Sequence, residues 1–457
     1  MYKGDIKIHF VGIGGIGMSG IAEVLHNLGY KITGSDLRET DTTKRLESLG
    51  IKIFYGHRPN NVSDAEVLVV SSAVKKDNPE ILEAKKMGIP IILRAEMLAE
   101  LMRMKYSILV AGTHGKTTTS SVIANMMFHV GVDPTLVVGG KLNNFGTNAK
   151  LGQGAFVVAE ADESDGSFLL LSPTIAVVTN IEREHMDYYC SYDNLEKAFV
   201  DFLNKVPFYG LNIVCLDNPG VQRIIPRLNR RVMTYGLSHQ ADLRAENIVT
   251  KERESEFDVI YQNEHMGRFK ICIPGKHNVL NVLAAICVAK ELNLNMESVK
   301  ESFLNFKGIQ RRFQIKGEAK GITVVDDYGH HPTEIKATLD TARNFWKGRV
   351  VVLFQPHRYT RTQDLYEEFL IAFYDADVVL VMDIYAASEE EIPGVSGEGL
   401  ADGIRTFGHK NVHYVGDKDN ALKFLKGFLK EGDLLLTLGA GDVYKVGERL
   451  LEELQND

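Results

Sequence analysis

Two glycine-rich turns limit what this chain can fold into more than any other feature of its sequence. The first covers residues 12–17 (GIGGIG) and follows the apolar run 6–11; the second covers residues 112–118 (GTHGKTT) and follows the apolar run 107–111. Each turn leads into a segment in which apolar residues recur with helical spacing, at 18–28 and at 122–130. A strand, a glycine turn and a helix in this order form the repeating unit of parallel α/β sheets.

The alternation of strands and helices continues to the C-terminus. Apolar runs predict further strands at 31–34, 66–70, 155–159, 175–178, 322–325, 350–354, 378–382 and 434–438, and the alternating segment 242–273 predicts antiparallel β structure. A chain of 457 residues exceeds the size at which one hydrophobic core keeps growing. We therefore predict an α/β protein of three domains: a Rossmann-like domain (1–104), a central P-loop ATPase-like domain (105–316) and a C-terminal Rossmann-like domain (317–457).

Composition excludes several other classes of protein. The net charge of −8, from 52 basic and 60 acidic residues, argues against a protein that binds nucleic acid through its overall charge. The N-terminus has no signal-like segment, and no apolar run approaches the roughly 20 residues of a membrane helix. The four cysteines are far apart in the sequence and do not indicate a disulfide framework or a zinc site. We expect a cytoplasmic protein without membrane insertion, as a monomer or a dimer.

The second turn carries the most specific chemistry in the sequence. Its backbone N–H groups and the start of the following helix favour the phosphates of ATP. Lys116 adds a mobile positive charge, and the hydroxyl of Thr117 is suited to Mg²⁺. Only two residues separate Gly112 from Gly115, so this turn is a shorter variant of the general phosphate-loop pattern.

Two further residues predict a metal site beside this turn. Glu160 follows the strand predicted at 155–159, and His185 comes shortly after the strand predicted at 175–178. The carboxyl ends of parallel strands lie at one edge of a sheet, so these side chains and Thr117 are expected to lie near the same phosphates. Taken alone, an acidic loop or a single histidine is more often structural than functional.

The first turn matches the dinucleotide fingerprint, with Gly12, Gly14 and Gly17 in place and Asp36 after the second strand. That pattern alone predicts an NAD-dependent oxidoreductase. The physical interaction is less specific, because the turn binds a pyrophosphate, and a UDP-sugar also has one. Ser71, Ser72 and His57 are candidate contacts to the diphosphate, and they fit equally well as ordinary polar loop residues.

The chain resembles the Mur ligase family along its whole length. The resemblance is carried, in family order, by these segments: GIGGIGMSG at 12–20, GTHGKTTT at 112–119, EADESD at 160–165, HMD at 185–187, GKHNVLN at 275–281, RRF at 311–313, DDYGHHPTE at 326–334 and QPHRYTR at 355–361. The resemblance implies an N-terminal domain that binds a UDP-linked substrate, a central ATP-binding domain, and a C-terminal domain that closes over the site and binds amino acid and nucleotide.

The resemblance also implies a reaction. ATP phosphorylates the lactyl carboxylate of UDP-N-acetylmuramate, the amine of L-alanine attacks the acyl phosphate, and phosphate leaves. This is the first addition of an amino acid in the synthesis of peptidoglycan precursors. The cofactors implied are ATP and Mg²⁺.

The sequence patterns and the resemblance together assign site residues to five groups. For ATP they are Gly112, Thr113, His114, Gly115, Lys116, Thr117, Thr118, Asn278, Asn281 and Asp327. For the UDP-sugar they are Gly12, Gly14, Gly15, Gly17, Ser35, Asp36, His57, Ser71 and Ser72. For L-alanine they are Arg312, Tyr328 and His330; for the metal, Thr117, Glu160 and His185; for catalysis, Lys116, His185, His357, Arg358 and Arg361.

Three alternatives remain open at this point. An NAD-dependent oxidoreductase explains only the first turn, and a nucleotide-regulated binding module leaves the cations of the third domain without a role. A family member that recycles a wall tripeptide onto the same UDP-sugar differs only in its acceptor amine. A second choice also stays open, because His330 and His331 either act in the site or cap the following helix. Related ligases carry a carbamylated lysine; Val200 lies near its expected position, so we predict none.

Overall fold

The computed structural model describes residues 6–71, 73–103, 105–139, 149–251, 254–387 and 389–456. It contains three sheets, each combined with helices, and this agrees with the predicted fold class. By compactness the chain divides into two units: residues 1–247, 257–270 and 279–307 form the first, and residues 248–256, 271–278 and 308–457 form the second. The boundaries predicted at 104/105 and 316/317 stay a prediction.

The first sheet is entirely parallel, in the order β3-β2-β1-β4-β5. Its strands are β1 (Lys7–Val11), β2 (Lys31–Asp36), β3 (Lys52–Tyr55), β4 (Val67–Val70) and β5 (Ile91–Leu93). Its helices are α1 (Ile16–Asn27), α2 (Asp41–Ser48), α3 (Pro79–Met87) and α4 (Arg94–Met102). The strand order reverses between β1 and β4, and ligands of open α/β sheets bind beyond the carboxyl ends of strands at such a point.

The second sheet has ten strands, in the order β15-β14-β13-β12-β11-β10-β6-β9-β7-β8. Its strands are β6 (Tyr106–Ala111), β7 (Thr135–Val137), β8 (Ala149–Lys150), β9 (Phe156–Glu160), β10 (Ile175–Val178), β11 (Leu211–Cys215), β12 (Val232–Gly236), β13 (Leu243–Lys251), β14 (Glu254–Tyr261) and β15 (Glu264–Ile271). Its helices are α5 (Lys116–His129), α6 (Met186–Tyr189), α7 (Tyr192–Leu203), α8 (Pro219–Ile224), α9 (Lys276–Glu291) and α10 (Met296–Leu304). Strand β6 lies between β10 and β9 and runs parallel to both, so the carboxyl ends of these three strands are neighbours.

The third sheet has the order β16-β17-β21-β18-β19-β20, and only the edge strand β16 is antiparallel to its neighbour. Its strands are β16 (Gln314–Ala319), β17 (Ile322–Asp327), β18 (Val350–Phe354), β19 (Val378–Met382), β20 (Val412–Gly416) and β21 (Leu434–Leu438). Its helices are α11 (Pro332–Phe345), α12 (Tyr359–Asp364), α13 (Tyr366–Leu370), α14 (Gly397–Thr406), α15 (Lys418–Phe428) and α16 (Tyr444–Asn456). Every residue of β18, β19 and β21 is buried, which explains their uninterrupted apolar sequences.

The apolar residues of segment 279–292 predict a helix that begins at Val279, and α9 begins three residues earlier, at Lys276. The polar residues Lys276, His277 and Asn278 form its first turn, and apolar periodicity does not detect a polar first turn. Gly275, with a φ of 103°, precedes them. Among the described residues, no helix combines the length and apolarity that a membrane span requires.

A buried carboxylate supports the end of β2. Glu80, from α3, accepts hydrogen bonds from Ser35 Oγ at 2.6 Å and from Asn61 Nδ2 at 2.5 Å. Its side chain has no exposed surface, and the ring nitrogens His57 Nδ1 and His9 Nε2 lie 3.3 and 3.8 Å from its Oε2. Burial alone would raise the pKa of Glu80, but the nearby His9 ring and the hydrogen bonds from Ser35 and Asn61 outweigh it and lower the pKa to about 2.

We expect Glu80→Gln to remove a pH-dependent part of the stability. A pKa of about 2 in the folded state against 4.5 means that the charge of Glu80 stabilises the fold above pH 4.5, and that this contribution is lost as the pH falls toward 2. Its upper limit is about 3 kcal/mol. Urea unfolding should therefore separate the wild type from the variant most at pH 6, with about 1 kcal/mol of the difference gone at pH 3.5. Glu83→Gln on the same helix is the control, because Glu83 is partly exposed and pairs with the exposed Lys86. An equal difference at both pH values would contradict this role.

Candidate functional site

The phosphate-type turn between β6 and α5 requires glycine at both ends. Gly112 has a φ of 129°, and a Cβ there would clash with Thr179 Oγ1 and lie 2.9 Å from the Asn180 carbonyl oxygen. Gly115 has a φ of 81° and immediately precedes α5. These φ values lie in the left-handed region that side chains disfavour. The sequence therefore uses glycine to bring the backbone close to the end of β10.

Hydrogen bonds fix the turn to the residues that follow β10. The amide of Thr113 donates to the Asn180 carbonyl at 3.1 Å, and the amide of His114 donates to Asn180 Oδ1 at 2.8 Å. Thr179 Oγ1 in turn donates to the His114 carbonyl at 2.5 Å. The pair Thr179 and Asn180 thus holds the turn in one conformation, as a preorganised anion site requires.

Lys116, the first residue of α5, is folded back over its own turn. Its Nζ donates to the carbonyl oxygens of Gly112 at 2.6 Å and Thr113 at 3.2 Å, and to Glu163 Oε1 at 2.7 Å. Burial alone would lower the pKa of Lys116, but the charges of Glu163, Asp162 and Glu184, together with the hydrogen bond to Glu163, outweigh it and the pKa is raised. Lys116 is therefore a charged group at the turn, as predicted from the sequence.

Glu163 is a functional candidate that the sequence interpretation missed. Its side chain is only 2% exposed, and burial, partly offset by Lys116, raises its pKa to about 7. Its Oε2 has no hydrogen-bond partner in the described part of the chain. The available signal was its place in the acidic run 160–165. The neighbours Asp162 and Asp165 accept backbone hydrogen bonds from Ser164 and Ser167, as acidic loop residues usually do.

The three residues predicted to bind metal follow β6, β9 and β10, whose carboxyl ends are neighbours. Thr117 is in the first turn of α5, and Glu160 ends β9 with its Oε1 accepting from the Gly139 amide at 2.7 Å and from Ser120 Oγ at 3.3 Å. His185 has a φ of 58°, and its Nε2 lies 3.9 Å from Glu163 Oε1. A non-glycine residue held in the left-handed region is a strained feature of the kind that concentrates at functional sites.

Two more residues assigned to ATP lie in the same unit. Thr118 is buried in the first turn of α5, and Asn281 of α9 accepts a hydrogen bond from Thr119 Oγ1 at 3.0 Å. A Cβ on Gly115 would lie 2.8 Å from Asn281 Oδ1, so this amide lies directly against the turn.

The first glycine turn differs from a dinucleotide site in the use of Asp36. The amides of Gly12 and Ile13 both donate to the Ser35 carbonyl, at 2.8 and 3.0 Å, and Gly14 donates to Asp36 Oδ2 at 2.8 Å. Asp36 Oδ1 accepts from the amide of Arg38 at 3.4 Å. One oxygen of the Asp36 carboxylate therefore binds an amide of the glycine turn, and the other binds an amide just after β2. The acidic residue of the dinucleotide fingerprint instead binds a ribose hydroxyl.

The other residues assigned to the UDP-sugar differ in accessibility. Ser35 is fully buried. Its hydroxyl donates to Glu80, and its carbonyl accepts the amides of Gly12 and Ile13, so Ser35 connects the turn to the buried carboxylate. His57 is partly exposed and has Nδ1 at 3.1 Å from Ser35 Oγ. Ser71 follows β4, and its Oγ accepts from the Ala73 amide at 3.3 Å. Gly15 precedes α1 and Gly17 lies in its first turn. Ser72 lies outside the described residues.

Arg94 adds a positive charge beside the first turn, and the sequence interpretation missed it. It begins α4, and a Cβ on Gly17 would lie 3.1 Å from Arg94 NH1. Its NH2 lies 3.5 Å from Asp162 Oδ2, in the acidic run that also contains Glu163. A guanidinium group at the start of α1 strengthens an anion site there. In the sequence, Arg94 is an isolated cation 77 residues after Gly17 with no motif around it.

In the second unit, Asp327 organises the segment that follows β17. Its Oδ2 accepts from the Phe313 amide at 2.7 Å, its Oδ1 accepts from the Gly329 amide at 2.8 Å, and burial raises its pKa to about 6. The Tyr328 ring lies 4.9 Å from Arg311 Cζ and 5.2 Å from Arg312 Cζ. Arg311 also donates to the carbonyls of Gly439 and Gly441, so it fixes the loop after β21.

The two histidines before α11 have different contacts. His331 Nδ1 accepts from the Thr333 amide at 3.3 Å, which makes it the helix cap that the sequence left as one alternative. His330 Nδ1 faces the Tyr328 carbonyl at 3.1 Å and therefore donates to it.

Asn278, assigned to ATP, donates from Nδ2 to the Pro274 carbonyl at 2.7 Å.

His357 is neutral at physiological pH. Burial, together with the charges of His330, Arg361 and Arg358, lowers its pKa to about 3. Arg361 NH1 lies 3.1 Å from His357 Nδ1, so Nδ1 is an acceptor and the proton of the neutral ring is on Nε2. His357 therefore donates from Nε2 and is a poor proton acceptor near pH 7. Arg358 has a φ of 72° and a more exposed side chain, with NH1 3.9 Å from Glu389 Oε1.

Comparisons with known proteins agree with this architecture. The family model described as "Mur ligase family, catalytic domain" matches residues 7–106, "Mur ligase middle domain" matches 110–289, and "Mur ligase, glutamate ligase domain" matches 311–441. A UDP-N-acetylmuramate–L-alanine ligase from Syntrophotalea carbinolica is 57% identical over 455 residues, which cover 100% of this chain and 99% of that protein.

Solved structures show the same fold. The crystal structure of UDP-N-acetylmuramate-alanine ligase MurC from Thermotoga maritima has a TM-score of 0.84 at 31% identity, with 99% of each chain covered. A murein peptide ligase from Psychrobacter arcticus has a TM-score of 0.73 at 23% identity, again with 99% of each chain covered, and shares the fold. Together with the three matching family models, these similarities show that the chain belongs to the Mur ligase family.

Proposed function

We propose that this protein joins L-alanine to the lactyl carboxylate of UDP-N-acetylmuramate and uses ATP to drive the reaction. The observation that carries the proposal is the presence of two glycine turns in the first unit, each with its own cationic side chain. Lys116 lies over the turn at 112–118, and Arg94 lies beside the turn at 12–17. The relatives at 57% identity are named for this reaction, which supports the choice of substrates.

The turn at 112–118 is the proposed ATP site. The turn and the start of α5 direct backbone N–H groups and a positive helix end toward the phosphates. Lys116 is the charge available to the terminal phosphates once it leaves at least one of its three present acceptors. Asn281 lies against the same turn, and Asn278 and Asp327 are proposed to contact the nucleoside.

Thr117, Glu160 and His185 are the proposed ligands of Mg²⁺. A hydroxyl and a carboxylate suit a hard cation. Among the described residues, Glu163 Oε2 has no hydrogen-bond partner, which supports a cation in this region. A bound Mg²⁺ would neutralise phosphate charge during transfer.

The chemistry then requires an activated carboxylate. An oxygen of the lactyl carboxylate attacks the γ-phosphorus and ADP leaves, which produces an acyl phosphate. The neutral amine of L-alanine attacks the acyl carbon, and phosphate leaves with the carboxylate oxygen and with the proton that the amine loses, as hydrogen phosphate. Arg312, Tyr328 and His330 are proposed to hold the alanine, and Arg358 and Arg361 are suited to phosphate or carboxylate oxygens. His357, with its low pKa, would donate a hydrogen bond and would not take the proton of the amine.

The first test is a panel of acceptor amines at fixed ATP and UDP-N-acetylmuramate. We expect phosphate release with L-alanine that depends on both other substrates, and much slower release with a wall tripeptide.

Lys116→Ala should lower kcat at least about a hundredfold, because it removes a charge that stabilises the transition state. Lys44→Ala is the control, since Lys44 is an exposed residue that pairs with Glu39. Release that is fastest with the tripeptide would favour a recycling ligase, and full activity of Lys116→Ala would contradict its role.

The second test concerns Arg94. Arg94→Ala should raise KM for UDP-N-acetylmuramate about tenfold or more and leave KM for ATP within about twofold, because a charged hydrogen bond contributes about 1.5–3 kcal/mol. The control is Arg103→Ala, an exposed arginine just after the same helix. Steady-state kinetics with each substrate varied in turn distinguishes the two constants. Equal increases in both KM values would show that Arg94 has no specific role at the first turn.

A further inference from the structure

The Glu163 side chain is buried, and only one of its two carboxylate oxygens has a hydrogen-bond partner among the described residues. Its Oε1 accepts from Lys116 Nζ, whereas its Oε2 has no hydrogen-bond partner among the described residues. A buried carboxylate oxygen without a partner is costly, so natural proteins rarely keep one unless another ligand uses it. Tyr189 donates its hydroxyl to the Glu163 carbonyl at 2.5 Å and thereby fixes the backbone at this position.

Lys116 has no donor left for a phosphate in this structure. An ammonium group has three N–H donors, and Nζ of Lys116 has three acceptors: the carbonyls of Gly112 and Thr113, and Glu163 Oε1. A triphosphate at the turn must therefore take Lys116 away from at least one of them. If the ammonium leaves Glu163, the buried carboxylate loses its counterion and must take up either a proton or another cation.

His185 provides the second half of a site for a replacement cation. Its Nε2 is 3.9 Å from Glu163 Oε1, too far for a hydrogen bond. Two ligand atoms that each lie about 2.1 Å from one cation are on the order of 3 to 4 Å apart. The pair is therefore spaced for a shared divalent cation, and Glu163 Oε2 offers a further oxygen.

We propose that Glu163 has two partners in succession. Before nucleotide binds, it holds Lys116 back over the glycine turn; after the triphosphate has drawn Lys116 away, its carboxylate binds a divalent cation together with His185. Lys116 and the cation thus exchange places on one carboxylate. The inference deepens the proposed function and rests on ATP binding at the turn at 112–118.

This arrangement predicts effects of opposite sign for two ligands. Glu163→Gln keeps the shape of the side chain but loses the charge that retains Lys116 and attracts a cation. ATP in the presence of EDTA should therefore bind the full-length variant about tenfold more tightly than the wild type. Mn²⁺ should bind the variant about tenfold more weakly, measured with the enzyme saturated by a stoichiometric, non-hydrolysable ATP analogue. Calorimetry measures the first constant and the EPR signal of free Mn²⁺ measures the second.

Two further variants separate this role from a purely structural one. In a Lys116→Ala background, Glu163→Gln should no longer tighten metal-free ATP binding, because there is no ammonium to release. Asp165→Asn, in the same acidic run, should change neither constant, since the Asp165 carboxylate accepts its hydrogen bond from the Ser167 amide and not from Lys116. Thermal unfolding of each variant confirms that it is folded.

Weaker Mn²⁺ binding by Glu163→Gln without a change in metal-free ATP binding would overturn the exchange of partners on Glu163. Opposite shifts in the two constants support the proposal. Weaker binding of both ligands, or no change in either, would overturn it, and a change in ATP binding alone would overturn the shared cation site. If wild-type enzyme fails to bind ATP at all, the proposed function fails and not this inference alone.

Discussion

The close approach of two backbones at Gly112 is the constraint on which the rest of the site depends. Strands β6 and β10 are neighbours in parallel register, and the turn after β6 lies so near Thr179 and Asn180 that a side chain at Gly112 has no room. The hydrogen bonds to Asn180 then fix where the amides of the turn point. Lys116 can only fold over this turn or reach out from it, and Glu163 lies within reach of the folded position. The order of strands in the sheet thus determines the chemistry at its edge.

The two glycine turns have the same local design but different charges around them. At the first turn, Asp36 binds backbone amides, and Arg94 lies beside the start of α1. At the second turn, the cation is part of the turn itself and is paired with a buried acid. A glycine pattern describes only the backbone, which accepts any phosphate group. The neighbouring side chains decide which ligand is bound, and Asp36 here already accepts hydrogen bonds from the amides of Gly14 and Arg38.

Much of the fold follows from apolar periodicity alone. The strands predicted at 175–178, 350–354, 378–382 and 434–438 have the observed bounds, because fully buried parallel strands are continuous apolar runs. The polar first turn of α9 was missed because it has no apolar periodicity. Lys116 was predictable from its turn, whereas Glu163, Arg94 and Glu80 were not. Each of these acts through partners distant in the sequence: Glu163 lies 47 residues from Lys116, and Glu80 lies 45 from Ser35. Only folding brings such pairs together, and a single sequence has no local sign of them.

The central claim is that ATP bound at one glycine turn activates a carboxylate carried by the diphosphate ligand of the other. The most direct measurement labels both carboxylate oxygens of UDP-N-acetylmuramate with ¹⁸O and analyses the phosphate released in the presence of ATP and L-alanine by mass spectrometry. If an acyl phosphate forms, each phosphate released carries one ¹⁸O atom, and the amide product keeps the other. Unlabelled phosphate would contradict the account, because ATP would then be cleaved without activating the carboxylate.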